Sequence, residues 1–141
     1  RCYELIHKTN QMNTTNKRTD YDKFNEYFKS NSHKIYEIHL KDKYDDYGII
    51  GTYIIEQIDD VTYTIIEFNF SCRAMGKLIE DYVIMHIIIE KKLNDKIIIN
   101  ITETSKNKTF IKVFEKYDFV KKNDYYIHIK SNKVYDKILW L

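Results

Sequence analysis

Residues 71–80, S-C-R-A-M-G-K-L-I-E, place an arginine, a glycine and a cysteine where an apolar strand pattern gives way to a helical one. A strand ending directly at a helix N-terminus aims several unpaired backbone amides, with the positive end of the helix dipole, at one point. Such a point binds phosphate. Gly76 has no Cβ and lets a ligand approach the backbone, and the Arg73 guanidinium can meet a phosphate through two parallel hydrogen bonds. The same residues also suit a plain tight turn, with Gly76 relieving strain and Arg73 paired with a carboxylate. Cys72, beside Arg73 at a helix start, sits where a thiolate is favoured, yet it also suits a small packed residue closing the strand.

The elements around this turn follow from periodicity. Residues 1–9 suggest the last turns of a helix, and the Asn/Thr-rich stretch after them suggests a loop with a short extended piece over 12–15, because these side chains compete for backbone hydrogen bonds. Thr19 or Asp20 can cap a helix to about Lys29, with Tyr21, Phe24, Tyr27 and Phe28 on one face. Strands are predicted over 34–41, 48–57 and 61–71, the last two joined at Asp59 and Asp60 as an antiparallel hairpin. In the third strand the apolar positions shift phase between Ile65 and Ile66, which predicts a β-bulge there and puts Glu67 and Asn69 on the face opposite Phe68.

A stripe of Met75, Leu78, Ile79, Tyr82, Val83, His86 and Ile89 predicts the longest helix, over 75–92, with His86 in the core. Residues 96–101 form a continuous apolar run typical of a strand buried on both faces. A helix over 106–116 follows, with Phe110, Val113, Phe114 and Tyr117 inward, then a strand over 124–130 and an apolar C-terminal segment that docks. Asn107 suits the cap of the helix beside it. These elements make one mixed α/β layer structure.

Composition narrows the function classes. The chain of 141 residues has 23 basic against 21 acidic side chains, without the concentrated basic face of a dedicated nucleic-acid binder. No window approaches the roughly 20 apolar residues of a membrane span. Two cysteines, Cys2 and Cys72, are too few for a disulfide framework and point to a reducing, cytoplasmic setting. The five histidines show no metal-ligand spacing, so no metal is expected. The 13 tyrosines read as strand and core filling, not as a stacking platform.

Residues 71–80 also resemble the S-C-R-x-x-G-[RK]-x-x-E signature of the C-terminal part of FkbH-like proteins, and Arg73 and Gly76 fit the Q/R-x-x-G-x-G/A acetyl-coenzyme A loop of GNAT acyltransferases. Residues 5–19 resemble the family's L-I-N-K-T-N-Q-F-N-x-T-T-R-R segment. Residues 45–55 resemble its D-x-F-G-D-x-G-x-V-G stretch, and residues 102–119 its T-x-K-N segment. The matches run in family order from residue 5 to residue 119.

The resemblance implies a GNAT-like acyltransferase fold over residues 11–141, a central mixed sheet flanked by helices. Residues 1–10 would then end a linker helix from an N-terminal domain of the HAD superfamily, whose D-x-D-x-T motif this sequence lacks. Family members of this kind load a glyceryl unit onto an acyl carrier protein for polyketide-type biosynthesis. Implied with it are coenzyme A or carrier-protein phosphopantetheine as substrate, no tightly bound cofactor, and a carrier-protein partner. The implied cofactor contacts are Phe70, Cys72, Arg73, Ala74, Met75, Gly76, Lys77, Leu78 and Asn107. Glu67 takes the place of a general base, against readings as a solvated or ion-paired carboxylate. A bulge before the loop would splay two parallel strands and open a slot for pantetheine.

Two positions depart from the pattern. Leu78 replaces the loop's third small residue. Phe114 stands seven residues after Asn107, where active GNAT enzymes keep a tyrosine that protonates the leaving thiolate; Tyr117, the remaining candidate acid, is turned by roughly 60° around the helix. The same fold without catalysis, docking a carrier protein or supporting the HAD domain, is the alternative.

Overall fold

The structure, a computed structural model, describes residue 14 and residues 20–71, 79–104 and 107–132. The expected helix over 1–9 and the docking C-terminal segment lie outside these residues, as does the extended piece over 12–15 apart from Thr14.

Asp20 starts α1 (Tyr21–Lys29) by accepting a hydrogen bond from the Lys23 amide at 2.8 Å. Its aromatic face is not buried as expected: Tyr21 and Phe28 are exposed. Three strands follow, β1 (His33–Lys41), β2 (Asp46–Gln57) and β3 (Thr62–Phe70), paired antiparallel in sequence. Helix α2 (Ile79–Ile89) precedes β4 (Lys96–Asn100), which lies parallel to β3. After α3 (Lys108–Lys116) come β5 (Val120–Lys121), a two-residue strand not anticipated from the sequence, and β6 (Tyr125–Ile129). The six strands form one sheet in the order β1-β2-β3-β4-β6-β5, the mixed sheet with helices that the sequence implies.

Phe68 and Phe70 begin an aromatic chain through the core. Phe68 lies 5.2 Å from Phe110, which lies 5.7 Å from Phe114. Phe114 in turn meets Phe119 and Tyr126 at 5.8 and 6.0 Å. Gly51 makes room for the chain, since a Cβ there would stand 2.7 Å from the Phe70 ring.

The buried face of α2 differs from the expected stripe. Tyr82, His86 and Ile89 face solvent, and His86 pairs with Glu90 at 3.0 Å instead of packing in the core. Buried instead are Glu80, Asp81, Ile84, Met85, Ile87 and Ile88, with Val83 shared by both patterns. The reason lies on α3: Lys116 and the Tyr117 hydroxyl both bond Asp81 Oδ1, the latter at 2.9 Å. A buried carboxylate with two donors can sit where an apolar residue was expected.

Candidate functional site

The bulge lies where the phase shift predicts. Ile54 faces Glu67 and Ile55 faces Ile65, leaving Ile66 as the extra residue of β3. At the same point β3 leaves β4. The two pair from Thr62 opposite Lys96 to Ile65 opposite Ile99. Beyond Ile65, β3 keeps company with β2 as far as Phe70 opposite Gly51, while β4 stays with β6. A gap opens between them on the way to residues 72–78.

Backbone direction in the gap follows from alternation. The Ser71 amide donates to the Ile50 carbonyl at 2.6 Å, so residue 71 is turned to β2 and Phe70 and Phe68 present their backbone groups to the gap. The Phe68 carbonyl accepts from the Thr14 amide at 3.1 Å, and the Thr14 carbonyl accepts from the Thr102 amide at 2.8 Å. Thr14 therefore crosses the gap, bonded to β3 on one side and to the segment after β4 on the other.

On the face of β3 away from Phe68 and Phe70 stand Glu67 and Asn69. Glu67 is 5% exposed, so it is no solvated carboxylate. The Tyr27 hydroxyl of α1 feels it: burial is the main cause that pushes this phenol up, Lys23 opposes, and the charges of Glu67 and Glu56 add to the rise. Asn69 is fully buried, and neither end of its amide has a hydrogen-bond partner. The neighbouring Thr52 is equally buried but satisfied, donating to the Tyr36 carbonyl at 2.8 Å.

The remaining candidates divide. Cys72, Arg73, Ala74, Met75, Gly76, Lys77 and Leu78 lie outside the described residues. Phe70 turns its ring into the core and its backbone to the gap. Asn107 precedes α3 without capping it through its side chain. Its Oδ1 accepts from the Thr104 amide at 2.9 Å and its Nδ2 donates to the Thr102 carbonyl at 2.8 Å, so it shapes the loop that forms one wall of the gap. Tyr117, at the other end of α3, is 1% exposed, and burial together with its bond to Asp81 pushes its phenol up. Phe114 is fully buried in the aromatic chain.

Sequence reading missed Thr14 and Asn69. The alternation of β3 marks Asn69 as a polar residue on an inward strand, whereas nothing local marks one threonine of an Asn/Thr-rich stretch. A groove of about 900 Å³ between β1 and α2, lined by Tyr36, Ile38, Leu40, Tyr53 and Tyr82, shares none of the gap's residues. Among the described residues no group of three or more His, Cys, Asp or Glu is placed to hold a metal, and no helix is long and apolar enough to cross a membrane.

The sequence matches no family model and no curated protein. Solved structures do match. A domain from Methanocaldococcus jannaschii DSM 2661 superposes with a TM-score of 0.62 at 17% identity, over 80% of this chain and 77% of that one. A GNAT family acetyltransferase from Elizabethkingia anophelis with acetyl-CoA bound gives 0.58 at 17% identity, over 86% and 69%. Spermidine N-acetyltransferase from Vibrio cholerae, in complex with CoA and spermine, gives 0.59 at 12% identity, over 79% and 76%. The chain has the GNAT acetyltransferase fold.

Proposed function

We propose that this GNAT-fold domain binds the pantetheine arm of coenzyme A or of an acyl carrier protein and serves acyl transfer. The observation that carries the reading is the parting of β3 and β4 at the Ile66 bulge, a few residues before R-A-M-G in the sequence. A pantetheine arm is a narrow chain with two amides, and the backbone edge of a strand that has left its partner can offer such a chain hydrogen bonds. Arg73 and the amides near Gly76 would hold the phosphate, and Asn107 would act through the loop it shapes. Glu67 would take the proton of the acceptor nucleophile as it attacks the thioester carbonyl and the thiolate departs. The resemblance of residues 5–119 favours an FkbH-like setting: a cytoplasmic protein with an N-terminal HAD domain and an acyl carrier protein as partner.

A second reading, binding without turnover, is favoured by one observation. Phe114 is sealed in the core and the Tyr117 hydroxyl is spent on Asp81, so neither supplies the acid for the thiolate.

Calorimetry with coenzyme A and with a holo carrier protein tests the binding reading, which expects heat from at least one; silence from both overturns it. Acetyl-coenzyme A consumption separates the two readings. In a catalyst Glu67→Gln slows turnover by about 10²-fold or more, the usual worth of a general base. Equal rates dismiss Glu67, and no turnover in the parent chain leaves binding alone.

A further inference from the structure

Thr14 occupies the gap in which the proposed ligand would lie. Its amide and carbonyl, a donor to Phe68 and an acceptor from Thr102, are the same two kinds of group that an amide-bearing arm would offer there. It is completely buried, so the ligand cannot enter over it. The occupied state is also incompletely satisfied. Thr14 Oγ1 is buried without a partner. Buried polar groups are nearly always hydrogen-bonded, and leaving them unpaired costs free energy that water or a polar ligand would recover on entering.

We propose that Thr14 is a built-in competitor for the gap: with no arm bound it bridges β3 and the segment after β4, and a pantetheine arm binds by displacing it and taking over its bonds to the Phe68 carbonyl and the Thr102 amide. The proposal rests on the pantetheine reading above and adds to it a resident rival. Affinity is then lowered by the fraction of molecules in which Thr14 holds the gap, and weakening Thr14's hold raises it.

Hydrogen–deuterium exchange on the whole chain, with and without saturating coenzyme A, gives the direct test. Displacement releases the Thr14 amide, so its exchange accelerates at least about tenfold, the worth of one lost hydrogen bond or more, while the Thr102 amide stays protected by the arm. Thr14 protection unchanged or raised in the bound protein overturns the proposal. Thr14→Pro removes the donor to Phe68 and is expected to tighten coenzyme A binding by roughly threefold to tenfold. Equal or weaker affinity in a folded variant overturns the proposal while leaving the pantetheine reading standing. Binding by Thr14→Pro alone supports it most strongly. If neither chain binds coenzyme A, the pantetheine reading fails and the competitor with it. Should the variant not fold, exchange in the parent chain decides.

Discussion

The two faces of β3 obey different rules. On one, Phe68 and Phe70 are fully buried and meet the core rings at 5.2 and 5.6 Å. On the other, Glu67 and Asn69 are just as hidden, but the Asn69 amide has no partner. Burial alone does not tell a core from a site. The aromatic face is closed by packing, whereas the polar face keeps one amide, that of Asn69, whose hydrogen-bonding capacity is unused, on the stretch of β3 that has left β4.

Removing the aromatic side should be the most damaging change. Phe68→Ala deletes a ring touching Tyr53, Phe70 and Phe110 and is expected to cost about 3–5 kcal/mol. Urea denaturation measures it, and a loss under ~1 kcal/mol would mean the core collapses around the cavity. On the polar side the sign reverses. Asn69→Leu keeps the branched outline of the side chain and gives up no hydrogen bond, so it is expected to stabilise by about 1–3 kcal/mol, the penalty of a buried unpaired polar group. A lower melting temperature would show that the amide is satisfied in solution and would end the contrast between the faces.

The smallest effect lies on the far strand. The Tyr117 carbonyl can only accept, so the proton of His128 sits on Nδ1, 3.0 Å away, and the buried Nε2 has no partner. Burial is the main cause holding the imidazole below its ordinary 6.5; Lys130 adds to this, and the bonds at Tyr117 and Asp118 and the Asp118 charge oppose it. Unfolded chains therefore bind a proton near pH 6.5 that the folded protein refuses, so stability is whole above that value and falls as the pH drops through it. The slope reaches at most about 1.4 kcal/mol per pH unit. Denaturation between pH 7 and 5 should show this fall, and His128→Gln should flatten it; an unchanged slope would assign the acid sensitivity to other groups.

Much of the framework was legible in the sequence because it depends on neighbours along the chain. The slip from Ile65 to Ile66 located the bulge at this pair of residues, since a period of two has no other way to keep both apolar sets inward. The two aspartates between β2 and β3 marked a hairpin for the same local reason. Helix α2 misled because it is apolar nearly all round, so its stripe had no contrast and only the donors on α3 decided which side turned inward.

The site shows the same division. Glu67 was placed on its face by alternation, but its burial was not, and Asn107 looked like a helix cap until the loop over 102–104 was seen to claim both ends of its amide. By itself the sequence determined five of the six strands, their alternation and the bulge, all consequences of backbone sterics and periodic burial. Tertiary structure alone decided that Asp81 is buried, that Asn69 is left unsatisfied and that Thr14 spans the parted strands. Each is a matter of which distant group meets a polar atom, and that pairing leaves no trace in the order of neighbouring residues.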